Sequence, residues 1–170
     1  MIERALVVGC GSIGQRHISN LKALGVPQIL AVDTALKSLE RATQLGANAY
    51  DNLEAALADE PDAAIVSTPP DMHLAAARAT LETGSRLLIE KPIAASLDGV
   101  DAILDLATRR GSVLCVGYNL RFHSGLRKVK ALLQSGAIGR LLTLRAEFGQ
   151  YLPDWRPGRD YRTLYNARAT

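Results

Sequence analysis

Six residues near the N-terminus limit what this chain can fold into. Gly9-Cys10-Gly11-Ser12-Ile13-Gly14 follows directly on an apolar run at 5–8 and leads into a helical pattern. Three glycines at this spacing between a strand and a helix serve three different needs. Gly9 permits a tight turn, Gly11 lets the backbone approach an anionic group, and Gly14 allows the helix to lie close on the strand. The N–H groups of the helix start, with the positive end of the helix dipole, then suit a diphosphate. Ser12 and Ile13 form part of the same binding turn. A second apolar run, at 29–32, ends in Asp33. That is roughly 20 residues past the loop, where a carboxylate accepts hydrogen bonds from the adenosine ribose. A carboxylate there repels a 2′-phosphate, and no arginine follows at once. NAD is the expected cofactor and NADP the disfavoured one.

The remaining pattern extends the same plan. Apolar runs recur at 5–8, 29–32, 63–66, 87–89 and 113–116, each nearly uniform rather than alternating. Strands buried on both faces of a parallel sheet read this way. Helical patterns lie between them. Ile13, His17, Leu21 and Leu24 form one stripe, stopped by Gly25 and Pro27. Leu97, Val100, Leu104 and Ala107 form another, with Ser96 as the N-cap candidate. Gly46, Gly84 and Gly136 stand where helix C-caps are wanted. With 48% hydrophobic and 5% aromatic residues, the chain suits helices packed on a sheet. The predicted fold is α/β, a doubly wound parallel Rossmann sheet with right-handed crossovers.

Near residue 140 the period changes. Leu142, Leu144, Ala146 and Phe148 alternate with Thr143, Arg145 and Glu147, which predicts a strand over 141–148 with one wet face. A lone strand is not a domain. Pro153, Pro157 and Gly158 then read as loop. The expected organisation is an NAD(P)-binding Rossmann domain over 1–120, followed over 121–170 by a connecting helix and the start of a C-terminal substrate or oligomerisation domain. That second domain is read as α+β, an open antiparallel sheet, truncated after its first strand and loop.

Composition narrows the function classes. A net charge of +3 permits an anionic cofactor without demanding nucleic acid. The two cysteines, Cys10 and Cys115, offer neither a metal-ligand spacing nor a disulfide framework. The N-terminal apolar run is too short for a signal segment, and no stretch has the length of a membrane span. A soluble, cytoplasmic protein is expected, with no metal and no membrane partner.

Ligands of open α/β sheets bind outside the carboxyl ends of the strands, so the later strand ends are the other candidates. The third run leads into Ser67-Thr68-Pro69-Pro70-Asp71-Met72-His73. Ser67, Thr68 and Pro69 are placed beside the cofactor. His73, in the first turn of the next helix, either touches the cofactor or packs at the helix start. The fourth run leads into Glu90-Lys91-Pro92, a stiff way to aim an amine into the crevice, or else a surface ion pair. The fifth leads into Gly117-Tyr118-Asn119-Leu120-Arg121-Phe122-His123, which brings the Asn119 amide toward the cofactor; His123 has no partner visible in the sequence.

These motifs, in this order, resemble the Gfo/Idh/MocA oxidoreductase family. Gly136-Ala137-Ile138-Gly139 adds to the resemblance, and Tyr151-Leu152-Pro153-Asp154-Trp155-Arg156-Pro157 is similar to a loop that some members fold over nicotinamide and substrate. The resemblance implies an NAD-dependent dehydrogenase for a hydroxyl of a sugar, cyclitol or related small molecule, and association of copies through the second-domain sheet. It implies that Lys91 is catalytic, that Glu90 holds the Lys91 amine, and that Trp155 and Arg156 lie against the cofactor. Members also carry an Asp and a His one turn apart on a later helix, and no residue here matches those positions. The alternative from another class is a dinucleotide-binding module that senses or regulates without turnover. A third reading takes Tyr151, Trp155, Tyr161 and Tyr165 with the neighbouring arginines as a nucleic-acid platform.

Overall fold

A parallel sheet covered on both faces needs apolar side chains at successive positions, because neighbours point to opposite sides. The computed structural model, which describes residues 1–154, 158, 160–163 and 167, meets that requirement with six strands. They are β1 (Arg4–Val8), β2 (Gln28–Val32), β3 (Asn48–Tyr50), β4 (Ala63–Val66), β5 (Arg86–Ile89) and β6 (Leu114–Val116). All pair in parallel, in the order β3-β2-β1-β4-β5-β6. The helices are α1 (Ser12–Ala23), α2 (Leu36–Gln44), α3 (Leu53–Leu57), α4 (His73–Glu82), α5 (Val100–Arg110) and α6 (Ser124–Gln134).

Side-chain alternation divides the core. Leu6, Val8, Leu30, Val32, Ala64 and Val66 pack with Leu57 of α3, Ala77 and Leu81 of α4 and Ile103 of α5. Val7, Ile29 and Ala31 pack on the other face with Ile18 of α1 and Ala42 of α2. The strand order reverses between β1 and β4, so the loops leaving these two neighbours diverge to opposite faces and open a crevice. The doubly wound sheet expected from the apolar runs is the observed one.

Three local expectations are corrected. First, β3 was not foreseen; Asn48-Ala49-Tyr50 is short, half or fully exposed at the sheet edge, and carries no apolar run to betray it. Second, α1 buries Gly14 and Ile18, with Leu21 half-buried, while Ile13 and Leu24 are exposed. Gly14 meets the strand, as the glycine spacing requires, and only the apolar stripe is corrected, at Ile13 and Leu24. Third, α5 starts at Val100 after Gly99, whose φ of +83 is left-handed, and buries Val100, Ile103, Leu106 and Ala107. Leu97 is exposed, and the Ser96 hydroxyl accepts the Asp98 N–H in a turn upstream of the helix. The C-cap glycines stand as expected: Gly46, Gly84 and Gly136 have φ of +96, +83 and +69 just past α2, α4 and α6.

The chain divides into two units, Met1–Gly117 and Tyr118–Thr170. The second contains a one-turn 3-10 helix at Asn119–Phe122 and then α6. The strand expected over 141–148 is not formed. A strand exists through its ladder, and among the described residues no neighbour pairs with this segment. Leu142, Leu144 and Phe148 are exposed, and Arg145 Nε donates to Glu147 at 2.8 Å, two residues along the same side.

The core also sets the chemistry of one thiol. Cys10 is fully buried, and burial pushes its pKa up from 9.0 to about 12, with the Asp33 carboxylate adding to the effect. Cys115 is exposed. Between pH 9 and 12 the folded thiol keeps a proton that the unfolded chain has lost. Stability contributed by Cys10 is therefore complete below pH 9 and drains away as pH rises through that window. A disulfide reagent at pH 8 should titrate one thiol in the native protein and both after denaturation; rapid native reaction of both would contradict this burial.

Candidate cofactor crevice

The first β–α corner is held open by backbone geometry. Gly9 has φ +90, and its N–H donates to Val32 O at 2.8 Å. A Cβ on Gly9 would lie 2.7 Å from the Thr68 nitrogen, and one on Gly14 would lie 1.9 Å from Gly9 O. Neither contact is tolerable, so both positions require glycine. A Cβ on Gly11 would meet nothing within 4 Å. The loop is braced from two sides: Gln15 Nε2 donates to Cys10 O at 2.9 Å, and Ser67 Oγ donates to Gly9 O at 2.7 Å. Gly11 is the N-cap of α1 and supplies no side-chain cap. The first-turn amides of Ser12, Ile13 and Gly14 are therefore left for a ligand.

Asp33, just past β2, ties the two sides of this corner. Its Oδ2 accepts the Cys10 N–H at 2.7 Å and its Oδ1 accepts the Ala35 N–H at 2.8 Å. Each carboxylate oxygen has two lone pairs, so both retain capacity for a further donor such as a ribose hydroxyl. An open glycine surface, uncapped helix amides and a fixed carboxylate form the donor and acceptor set that an adenine dinucleotide needs, and the residues present fit it.

Beyond β4, the Thr68 hydroxyl is buried and has no partner among the described residues. Pro69 is exposed. His73 is 1% exposed; its Nδ1 lies 2.9 Å from Pro92 O and its Nε2 lies 2.8 Å from Thr68 O. Of its two expected roles, the geometry shows packing at the helix start: both ring nitrogens face main-chain carbonyls, and the ring is closed to a ligand.

Beyond β5, the Glu90 N–H donates to Val66 O at 2.8 Å. Its carboxylate does not hold the Lys91 amine, as had been expected. It pairs with His17 Nε2 at 2.9 Å, and its other oxygen accepts the Lys91 N–H at 3.2 Å. The reason lies in α1: His17 follows Gly14 by one turn and shares the side of the helix that lies on the sheet. Gly117 leaves room for the carboxylate, since a Cβ there would stand 3.3–3.4 Å from it. Lys91 is exposed.

His17, Gln15 and Gly117 were missed as site residues. His17 left a signal, a histidine within an otherwise apolar stripe, which needs a partner on the sheet. Asn119 is exposed in the second unit. Trp155 and Arg156 lie outside the described residues. Among the described residues there is no group of three or more His, Cys, Asp or Glu that could hold a metal, and no helix is long and apolar enough to cross a membrane. A cleft of about 720 Å³ opens at the opposite end of the sheet, by Asp62, Gly84, Arg86 and Gly111. Helix C-termini face it, which disfavours an anion there. The Asp62 carboxyl at its edge is held below its ordinary value by the Arg4 N–H first and the Glu3 N–H second.

A family model described as an oxidoreductase family with the NAD-binding Rossmann fold, GFO_IDH_MocA, matches residues 3–118. The chain belongs to this Gfo/Idh/MocA family. Its cofactor class is NAD. Myo-inositol dehydrogenase Hyg17 of Streptomyces leeuwenhoekii is 34% identical over 141 residues, covering 82% of this chain and 43% of the relative. The solved UDP-N-acetylglucosamine 3-dehydrogenase of Acidithiobacillus ferrooxidans aligns with a TM-score of 0.68 at 30% identity, over 78% of this chain and 41% of that one. The WlbA dehydrogenase of Bordetella pertussis, solved with NADH and UDP-GlcNAcA, aligns with a TM-score of 0.75 at 28% identity, over 81% and 41%. The chain thus spans less than half the length of the curated relatives it matches.

Proposed function

We propose that this Gfo/Idh/MocA protein is an NAD-dependent dehydrogenase acting reversibly on a hydroxyl of a sugar, cyclitol or related small molecule. One observation carries the reading: Glu90, next to Lys91, is bonded to α1, the helix whose open N-terminus suits the diphosphate. The backbone of Lys91 is thereby tied to the helix that opens the cofactor cradle, which supports a role for its amine beside the cofactor. Bound NAD supplies the acceptor for the hydride that leaves the carbinol carbon. Lys91 takes the hydroxyl proton as the carbonyl forms, and in its protonated form it stabilises charge on that oxygen in the reverse direction. Asp33, with its carboxylate fixed by two amides, favours NAD over NADP by repelling a 2′-phosphate. Relatives named for inositol, levoglucosan and nucleotide-sugar oxidation support the substrate class.

The test uses the complete product of the open reading frame that contains these residues, supplied with NAD and a panel of cyclitols, free sugars and nucleotide sugars. NADH formation at 340 nm with at least one of them is expected. Saturable NADH binding without turnover on the whole panel would favour the regulatory module instead.

A further inference from the structure

We propose that His17 and His73 are positioning residues for Lys91, each anchoring one of its chain neighbours. The proposal rests on Lys91 being the proton-handling group. Lys91 is exposed, and neither ion pair among the described residues involves it. Its direction is therefore set by the backbone on either side. On one side, the Glu90 carboxylate is held by His17 Nε2 at 2.9 Å, receives the Lys91 N–H at 3.2 Å, and sits in the space that Gly117 leaves free. A carboxylate only accepts, so His17 Nε2 carries the hydrogen of that bond. On the other side, Pro92 O faces His73 Nδ1 at 2.9 Å, while Nε2 of the same ring faces Thr68 O at 2.8 Å.

The two rings reach the lysine loop from the two lips of the crevice. His17 extends from α1, behind the glycine loop, and His73 opens α4, behind the Ser67-Thr68 loop. An imidazole suits both places. It is rigid, and at His73 the nitrogen that carries the hydrogen donates to one of the two facing carbonyls, Pro92 O or Thr68 O, while the ring packs its other edge against the second. A leucine of similar size fills the space and makes neither bond. Lys91 is left as the exposed residue between two anchored neighbours.

The experiment compares His17→Leu, His17→Gln, His73→Gln and Lys91→Ala in the complete gene product, with NAD and the turned-over substrate. It reads kcat, KM, the NADH dissociation constant and hydrogen exchange of the Lys91 amide. His17→Leu is expected to lower kcat by ~100-fold, the scale of a misplaced reacting group, with KM and NADH affinity moved less than about threefold. Lys91 amide exchange should rise at least tenfold, with β1 and β4 amides unchanged. His17→Gln keeps an N–H donor and should recover most of kcat. His73→Gln keeps the buried site polar and should show the same split of kcat from KM. A folded His17→Leu with kcat within twofold of wild type and unchanged Lys91 exchange overturns the proposal. So does equal loss in His17→Leu and His17→Gln together with general loosening of the fold. If Lys91→Ala itself keeps turnover, the reading of Lys91 fails instead, which separates the two.

Discussion

Gly14→Ala should cost the protein its first β–α corner, whereas Gly11→Ala should fold normally and lose the dinucleotide. The contrast follows from two glycines three residues apart on one loop. At Gly14 an added Cβ would stand 1.9 Å from Gly9 O and 2.9 Å from Gly9 C. Both are backbone atoms. They are held in turn by the Gly9 N–H bond to Val32 and the Ser67 bond to Gly9 O, so neither can swing aside. The helix must lift from the strand, and Ile18, fully buried one turn further on, lifts with it. Overpacking costs ~1–3 kcal/mol in ordinary cores and more where backbone is displaced. Against a total stability of ~5–15 kcal/mol, a fall of ~10 °C in the melting temperature is expected. Gly11 has φ −64, which alanine adopts freely, and its Cβ would meet nothing within 4 Å. The melting temperature should stay within about 1 °C. The new methyl occupies the approach to the helix amides, and NADH affinity should fall at least tenfold, or ~1.4 kcal/mol. Thermal unfolding and calorimetric titration of the two variants decide the matter. Equal melting temperatures would contradict the packing role of Gly14, and undiminished affinity in Gly11→Ala would contradict the diphosphate placement.

Lys91→Ala is expected to abolish turnover by ~10²–10⁴-fold, the range typical of losing a positioned acid–base group. The side chain is exposed and its loss opens no cavity, so the fold should be untouched. The glycine loop and Asp33 are unaffected, so NADH affinity should stay within about threefold. Steady-state rates in both directions, with NADH binding measured on the same preparations, separate the two effects. A wild-type kcat would remove Lys91 from the chemistry. A parallel collapse of NADH binding would make it a cofactor anchor instead.

The layout of the cradle was legible because backbone requirements leave marks in residue type. Gly9 and Gly14 stand where no Cβ fits, and Asp33 ends a strand whose other positions are buried. The parallel strands were legible because Val7, Ala31 and Val66 must be apolar on whichever face they point to. The strand Asn48–Tyr50 was illegible because an exposed sheet edge makes no such demand. The face of α1 was legible in part: the glycine spacing set Gly14 on the strand, whereas hydrophobicity alone wrongly added Ile13 and Leu24, which are exposed. Glu90 was assigned the wrong partner for a related reason. Adjacent charges suggested a pair with Lys91, yet His17 is brought to Glu90 by tertiary packing that no local spacing reveals. The alternation over 141–148 is a true period of two, but a strand needs a neighbour as well as a pattern.

On the proposed reading, main-chain amides at the start of α1, with Asp33 beside them, grip an adenine dinucleotide. Titration of the purified, folded polypeptide with NADH, followed by the cofactor's own fluorescence, tests it most directly. The expected result is a saturable change with one site per chain at micromolar to submillimolar concentration, abolished by excess NAD. A flat response up to millimolar NADH, from a sample whose circular dichroism shows it folded, would contradict it.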